Sequence, residues 1–468
     1  MTMSLSTGLI SGMDTGTLVS QLLQAEAAPQ TALKTRLGAA QMAASAYRTV
    51  NTTFAAIRAA AEALSASALT SARKAASSST DVTATASATA VNGSTVTFAV
   101  TGLAKTHRVL SVAEWGSTTA NVHKKADGSA QELTWPIEII DVATGTSRGS
   151  VSVGTSATLA DAVKAINDKK LGVRATAVQV ETGKYRLQLT SETSGTPGVF
   201  AVKSNNEMVA DAGLQFTVNE TGQNATIDLG GSQVASSPTN TFSNLMDGVS
   251  VTVTKVDPTR QITVSVTDDP DSVATKVQTL VDAVNSALST VKTYTSNAPG
   301  STAALKGDFS VSSLSGRLLD AVSEAVGPHG SPAKVGFQLT RDGKITFDKA
   351  KFTTALKDTP ELATRMVAGG PATTLNGAAV PAVTGIAERL LGVAKSASDS
   401  TTGSLVALAK GQDSVAKDIQ DRIAAWDLRL AKRKETLTRQ FTAMETALSG
   451  LRNQSTWLAG QINSLPSS

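Results

Sequence analysis

Residues 405–465 carry the sequence LVALAKGQDSVAKDIQDRIAAWDLRLAKRKETLTRQFTAMETALSGLRNQSTWLAGQINSL, in which apolar residues return in steps of three and four. No proline interrupts the stretch before Pro466. Its apolar positions are Leu405, Leu408, Val415, Ile419, Ile423, Trp426, Leu430, Leu437, Phe441, Met444, Leu448, Leu451, Leu458, Ile462 and Leu465. A narrow apolar stripe of this period is typical of a coiled-coil helix, and a single helix cannot cover it. The stripe therefore predicts a long helix that has a helical partner.

A second stripe of the same period lies near the start of the chain. Its members are Leu33, Leu37, Ala40, Ala44, Tyr47, Val50, Phe54, Ile57, Ala61 and Leu64. It predicts an Ala-rich helix over about 30–76. The two ends of the chain are therefore expected to pair with each other or with other chains, which points to assembly and not to catalysis.

Between the two stripes the apolar period changes to two. Val82, Ala84 and Ala86 alternate with Thr83 and Thr85, the pattern of a half-buried strand. Further strands are predicted at 96–100, 137–142, 173–180, 185–190, 249–254 and 262–267. One short helix intrudes, with Leu159, Val163 and Ile166 on one face and Thr158 as its cap.

Helical patterning returns at Asp269-Pro270, where an N-cap residue precedes a proline at the first helical position. A second helix is predicted over 311–326. Asp342-Gly343 between alternating runs predicts a hairpin, and Asp348 is placed to cap the helix after it. Residues 369–385 are predicted to be a loop.

The predicted fold class is α+β and multidomain, with a discontinuous helical, coiled-coil-like domain from both chain ends and two inserted β-rich domains. The predicted parts are a flexible N-terminal segment for export and assembly (1–40), a discontinuous helical bundle (41–76 with 269–430), an inner β-rich domain (77–98 with 203–268), an outer β-rich domain with one short helix (99–202), and a C-terminal coiled-coil assembly segment (431–468). The interface residues are expected to be Leu18, Leu22, Leu33, Leu37, Phe441, Met444, Leu448, Leu451, Leu458 and Ile462. Both terminal segments, 1–40 and 430–468, are expected to be poorly ordered alone and to order on assembly.

Composition argues against several classes of function. The 468 residues include no Cys and three His, and the net charge is +4. We therefore expect no metal site, no cofactor, no nucleic-acid partner and no membrane insertion. The His residues, His107, His123 and His329, lie in different segments without metal-ligand spacing.

One enzyme pattern occurs, Gly145-Thr146-Ser147-Arg148-Gly149, which fits the G-x-S-x-G elbow of hydrolases. The elbow needs a helix after the Ser, whereas residues 150–153 continue as a strand. We expect a hairpin loop here, and the chain is expected not to be an enzyme.

Four segments resemble the flagellar hook-associated protein 2 family, the filament-capping proteins. Residues 6–15, STGLISGMDT, match the family's usual opening through Gly8, Leu9, Ser11, Gly12 and Asp14, with Thr7 and Met13 as departures. The other matches are 240–249, 335–356 and 429–458. The resemblance covers nearly the whole chain and is weakest between about 100 and 200.

The resemblance implies a secreted structural protein, exported through the flagellar type III pathway to the tip of the bacterial flagellum. There it would promote insertion and folding of flagellin subunits and prevent their leakage. Implied partners are flagellin, the hook–filament junction protein, a flagellar export chaperone and further copies of the chain in a closed ring of about five or six.

Three other interpretations stay open at this point. A hook–filament junction protein or a flagellin would also pair terminal helices but would lack the hairpin and capped helix at 342–356. An enzyme would need Ser147 as a nucleophile, which fluorophosphonate labelling would reveal. An adhesin would use the β-rich region 77–268 to contact surfaces, and this could coexist with capping.

Overall fold

A computed structural model describes residues 14–125, 127–131, 133–204, 207–208, 215–375 and 378–463. The chain divides into two compact units. Unit 1 contains the residues up to Thr70 and those from Pro270 onward, and unit 2 is the continuous stretch Ser71–Asp269. The mixed α+β class expected from the sequence is confirmed.

Most helices belong to unit 1. The helices of the described residues are α1 (Thr15–Glu26), α2 (Ala28–Glu62), α3 (Ala66–Thr70), α4 (Leu159–Lys169), α5 (Pro270–Thr295), α6 (Phe309–Ser323), α7 (Lys349–Asp358), α8 (Pro360–Ala368), α9 (Ile386–Ser398) and α10 (Ser404–Asn463). Helix α10 has 60 residues, so the long C-terminal helix is present as its periodicity predicts. No element is predicted from the sequence at 386–398, where α9 lies.

Helix α2 lies at the centre of unit 1, where α5, α9 and α10 contact it. Its buried face includes Tyr47, Val50, Phe54 and Ile57, the stripe that the sequence predicts. The buried Tyr47 hydroxyl donates a hydrogen bond of 2.5 Å to Asp308, the N-cap residue of α6. Burial, together with this neighbouring carboxylate, raises the pKa of Tyr47 to about 12. Tyr47 thus links the start of α6 to α2.

The N-terminal part of the bundle differs from the sequence-based expectation in two ways. Residues 15–40 are assigned by the sequence to a segment separate from the bundle, whereas their helices contact α10 within the same unit. The predicted helix over 30–76 ends at Glu62, and residues Arg73–Ser77 form a strand instead. The pairing of that strand with a distant strand outweighs the helix propensity of Ala75 and Ala76.

Two hairpins complete unit 1. Strands β17 (Phe337–Leu339) and β18 (Ile345–Phe347) pair across Asp342-Gly343, and Asp348 caps α7, both as predicted. Strands β19 (Thr373–Leu375) and β20 (Ala378–Val380) form a second hairpin inside the stretch predicted to be a loop. Strands of three residues between glycines and prolines are too short to give a period-two signal.

Unit 2 contains the remaining strands. They are β1 (Arg73–Ser77), β2 (Val82–Ala86), β3 (Thr95–Gly102), β4 (Thr106–Ser111), β5 (Ile137–Asp141), β6 (Ser147–Val151), β7 (Val173–Glu181), β8 (Lys184–Ser194), β9 (Phe200–Ser204), β10 (Glu207–Met208), β11 (Phe216–Glu220), β12 (Ala225–Asp228), β13 (Val234–Ser237), β14 (Thr241–Met246), β15 (Val249–Val253) and β16 (Asp257–Asp268). They form antiparallel sheets in the orders β1-β16-β3-β12-β13, β10-β9-β5-β6, β11-β4-β8-β7 and β14-β15-β2.

The strands of unit 2 enclose two separate hydrophobic cores. One core includes Trp115, Ile139, Leu187 and Phe216, together with the apolar face of α4. The other includes Phe98, Ile227, Phe242 and Val264. Two β-rich parts were expected, but the predicted boundaries at 98/99 and 202/203 fall inside β3 and β9. Phe216 packs in the first of these cores, which contains the strands of the predicted outer domain, although the predicted boundary assigns Phe216 to the inner domain.

Helix α4 begins as its sequence predicts. The Thr158 hydroxyl accepts from the backbone N–H of Asp161, and the Asp161 carboxylate accepts from the backbone N–H of Thr158, which makes a capping box. These hydrogen bonds lower the pKa of Asp161. Lys170, in the left-handed conformation, is the C-cap residue at which the helix ends.

Candidate assembly surface

The burial of α10 falls from its N-terminus to its C-terminus. Leu405, Ala409 and Ala416 are buried where α10 joins the bundle of unit 1. Beyond that point Leu437 is the one fully buried apolar residue of α10 among the described residues. From Thr446 onward almost every described residue is exposed. The bundle therefore narrows to a helical pair and then to a single helix.

Helix α2 runs antiparallel to α10 along the middle of this structure. The Gln30 side chain donates a hydrogen bond of 2.5 Å to Asp427, and Arg48 pairs with Asp413. Leu33 and Leu37, two predicted interface residues, are half-buried here. Exposed ion pairs contribute roughly 0.2–1 kcal/mol each, so apolar contact is the main source of stability for this pair of helices.

Helix α1 covers the next part of α10. The side chains of Glu26 and Arg433 form an ion pair of 2.9 Å. Val19 is buried, whereas the predicted interface residues Leu18 and Leu22 are 36% and 46% exposed. Their exposed surface is available to other chains, so Leu18 and Leu22 stay predicted interface residues.

Helix α1 has a well-formed start. The Asp14 carboxylate accepts hydrogen bonds from the Thr17 hydroxyl and the Thr17 backbone N–H. These bonds lower the pKa of Asp14 and satisfy a free amide at the helix N-terminus. Asp14 was expected as part of the family motif. The other motif positions, Gly8, Leu9, Ser11 and Gly12, lie outside the described residues.

The C-terminal part of α10 carries a strict apolar seam, which we call the tip seam and define as Phe441, Met444, Leu448, Leu451 and Leu458. Phe441 and Met444 are half-buried, and Leu448, Leu451 and Leu458 are 36%, 62% and 55% exposed. Steps of three, four, three and seven keep these residues on one side of the helix. Ile462 continues the spacing, but its side chain lies outside the described ones.

An exposed seam of this kind calls for a partner. Burying each leucine fully stabilises an assembly by roughly 1.5–3 kcal/mol. Most of the stability of a protein helix comes from the packing of its apolar face, so this part of α10 should gain stability when a partner covers the seam. Within the described residues, no other element of the chain covers Leu451 or Leu458.

The serine of the predicted hydrolase pattern belongs to unit 2, whereas the tip seam belongs to unit 1. Ser147 begins β6, which pairs with β5, so a strand follows the serine where a nucleophile elbow requires a helix. Among the described residues, no three acidic or histidine side chains are grouped in a way that could hold a metal ion. No helix in the described parts of the chain has both the length and the apolar character needed to cross a membrane.

Comparison with protein families gives three matches along the chain. Residues 11–107 match the model for the N-terminus of flagellar hook-associated protein 2, and residues 222–453 match the model for its C-terminus. Residues 140–193 match the flagellin hook IN motif. Together these regions include both terminal helical segments and much of unit 2.

Individual relatives give the same picture. The flagellar hook-associated protein 2 of Salmonella typhimurium LT2 is 27% identical over 325 residues, which are 64% of this chain and 66% of that protein. The protein of that name from Escherichia coli K12 is 25% identical over 481 residues, with 97% of each chain covered. The crystal structure of the flagellar cap protein FliD D1-D2-D3 domains from Escherichia coli superposes with a TM-score of 0.55 at 23% identity, covering 79% of this chain and 99% of that one. This likeness shows the fold.

Proposed function

The chain belongs to the flagellar hook-associated protein 2 family, and from that membership we propose that it caps the distal end of a bacterial flagellar filament. As a cap it retains flagellin subunits that arrive at the tip and promotes their insertion and folding. Its place of action is extracellular, at the flagellum tip, after export through the flagellar type III pathway. The role is structural and needs no catalytic centre.

The observation that carries this proposal is the tip seam. Three leucines of α10 are exposed at heptad spacing on a helix that projects from its bundle as a single element. A seam of this type is stable in water only when other helices cover it. Further copies of the chain and the terminal helices of flagellin are the partners that a filament tip offers.

The remaining partners follow from the same role. We propose a ring-like homo-oligomer of about five or six copies, because a heterologous interface closes into a ring when its rotation allows. The hook–filament junction protein would be the first platform on which the ring sits. An export chaperone would cover the exposed seam before secretion, since an uncovered apolar surface favours aggregation.

Contact of unit 2 with other surfaces stays a separate, second proposal. Its sheets have exposed edge strands, among them β13, in which Val234 is 61% exposed. Edge strands can pair with another chain. Binding of purified unit 2 to host-cell surfaces or mucin would test whether it has an adhesive role.

The capping role can be tested with the double variant Leu448→Asp, Leu451→Asp in cells whose only cap protein is this chain. Two charges in the seam should weaken its association about a hundredfold or more, because the burial of two leucines is lost. Filaments should then be short or absent, and flagellin should accumulate in the medium as monomer. Immunoblotting of sheared filaments and of culture supernatant measures both.

The matched control is Leu428→Asp on the same helix. Leu428 is 68% exposed and does not belong to the tip seam, so the control introduces the same chemistry without touching the proposed contact. Both variants must be secreted in similar amounts. Filaments of normal length in the double variant would remove the tip seam from the capping mechanism.

A further inference from the structure

A groove lies between α2 and α10, near the point where the bundle has narrowed to these two antiparallel helices. Its volume is about 520 Å³, and its apolar lining consists of Pro29, Ala32, Leu33, Ala425 and Trp426. Trp426 and Leu33 are half-buried, so each presents apolar surface to the groove. A groove of this kind between two helices can bind a third helix.

Three arginines surround the groove, Arg36 from α2 and Arg422 and Arg429 from α10. Within the described residues, none of them forms an ion pair with a carboxylate. The Arg429 guanidinium lies 4.9 Å from the centre of the Trp426 ring, and this cation–π contact holds it at the groove. The neighbouring carboxylates of Glu26 and Asp427 are already engaged by Arg433 and Gln30.

We propose that this groove binds an acidic amphipathic helix of a partner protein. Apolar residues of the partner at i, i+4 and i+7 would cover Leu33 and Trp426. Its flanking Asp and Glu residues would pair with Arg36, Arg422 and Arg429, where the fork geometry of guanidinium suits a carboxylate. The charge of the groove selects the partner, because an apolar helix with basic flanks would meet three uncompensated cations.

A nucleic acid is a poorer fit to the same surface. A duplex presents one negative charge per about 1.7 Å of its axis, and it would meet a continuous run of cations better than three arginines. Asp418, Asp421 and Asp427 flank Arg422 and Trp426 in the sequence of α10, and their negative charge would repel a polyanion. Discrete carboxylates on a helix can be positioned between these acidic residues.

The test uses the full chain and a fluorescein-labelled synthetic peptide. The peptide has about 18 residues, which is long enough to form a helix. It carries leucines at i, i+4 and i+7, and glutamates flank them. A second peptide replaces every Glu with Gln. Fluorescence anisotropy gives the Kd of each peptide. The Glu peptide should bind about tenfold more tightly than the Gln peptide, and the difference should shrink at high salt.

Charge reversal on the protein provides the matched comparison. Arg36→Glu, Arg422→Glu should weaken binding of the Glu peptide about tenfold, and it should improve binding of a third peptide with Lys in place of Glu. Lys410→Glu, Lys417→Glu makes the same change in net charge on exposed α10 residues outside the groove, and it should leave the Kd within about twofold. Circular dichroism melting curves should coincide for all three proteins.

Four results would overturn the proposal. The first is binding of the Gln peptide as tight as that of the Glu peptide, and the second is unchanged binding of the Glu peptide by the Arg36, Arg422 variant. Tighter, Arg36- and Arg422-dependent binding of an 18-nucleotide single strand would assign the groove to nucleic acid. Self-association that the Glu peptide displaces, and that is lost in the same variant, would assign it to a second copy of the chain.

Discussion

At the scale of single residues, Arg365 is a buried cation that several hydrogen bonds hold in place. It lies in α8 and is 4% exposed, and its guanidinium donates to the carbonyl oxygens of Pro371 and Pro381 at 3.1 and 2.6 Å. Its Nε also donates to Nε2 of His329 at 3.3 Å. Partial burial, together with the neighbouring Arg365 cation, lowers the pKa of His329 and favours the neutral imidazole, which is able to accept this hydrogen bond.

Arg365 therefore links the two sides of the segment that contains β19 and β20. Gly370 and Val383 exchange backbone hydrogen bonds of 2.9 Å at the base of this segment. Gly369, beside this pair, has a φ of +79°, and a Cβ there would lie 2.7 Å from backbone atoms of Val383 and Gly385. The sequence could not predict this role, since the partners of Arg365 are carbonyl groups in residues 6 and 16 positions away.

Replacement of Arg365 should loosen this segment. Arg365→Met keeps the apolar stem but removes every charged hydrogen bond, and it should destabilise unit 1 by about 2 kcal/mol. Arg365→Lys keeps the charge but cannot reach both carbonyls from one planar fork, so it should fall between Met and Arg. Hydrogen exchange of residues 370–383, followed by mass spectrometry, should be slowest in the unchanged protein, faster in Arg365→Lys and fastest in Arg365→Met.

Exchange in unit 2 serves as the internal control, because distant sites contribute independently. Equal exchange of residues 370–383 in all three proteins would contradict the role given to Arg365.

At the scale of elements, the sequence predicts best where a local signal and the final contacts agree. Helix α10, the hairpin of β17 and β18, and the caps Thr158 and Asp348 are all confirmed, since each depends on a long period or on side chains three residues apart. These features need only local sequence information.

The errors occur where distant pairing determines the element. Strand β1 forms because β16 offers a complete partner, with Arg73 opposite Asp268 and Ser77 opposite Val264. The groove at Trp426 could not be predicted from the sequence, because its two sides are almost 400 residues apart in the chain.

At the scale of the whole molecule, unit 2 is a continuous insertion between two parts of unit 1. Strands β1 and β16 are antiparallel neighbours, so the two ends of the insertion lie side by side. We predict that a fragment of residues 71–269 folds alone, because both hydrophobic cores of unit 2 lie within it. Circular dichroism should show β-structure and a cooperative thermal transition.

The fragment 77–268 is a sharp comparison, because its ends follow the boundary that the sequence predicts. It removes most of β1 and leaves β16 as an exposed edge, so it should melt at a lower temperature than 71–269. Equal stability of the two fragments would show that β1 contributes nothing to unit 2. An unfolded 71–269 fragment would contradict its independence altogether.

The decrease in burial along α10 belongs to the whole molecule as well. The sequence shows one apolar stripe from Leu405 to Leu465, and nothing in its period marks where the covering helices of the same chain end. The structure places that limit near residue 445, after which the described part of α10 is exposed. The sequence alone therefore could not predict which residues of α10 are available to other chains.

The most direct test of the central claim is hydrogen exchange of residues 446–461 in the single chain and in the assembled form. Assembly can be followed with the purified full-length protein, whose mass by analytical ultracentrifugation defines each state. We predict fast exchange in the confirmed monomer and protection by at least about a hundredfold in the assembly, because partner helices then cover the tip seam. Strong protection of residues 446–461 in the monomer, or unchanged exchange on assembly, would contradict the claim that other chains cover this seam.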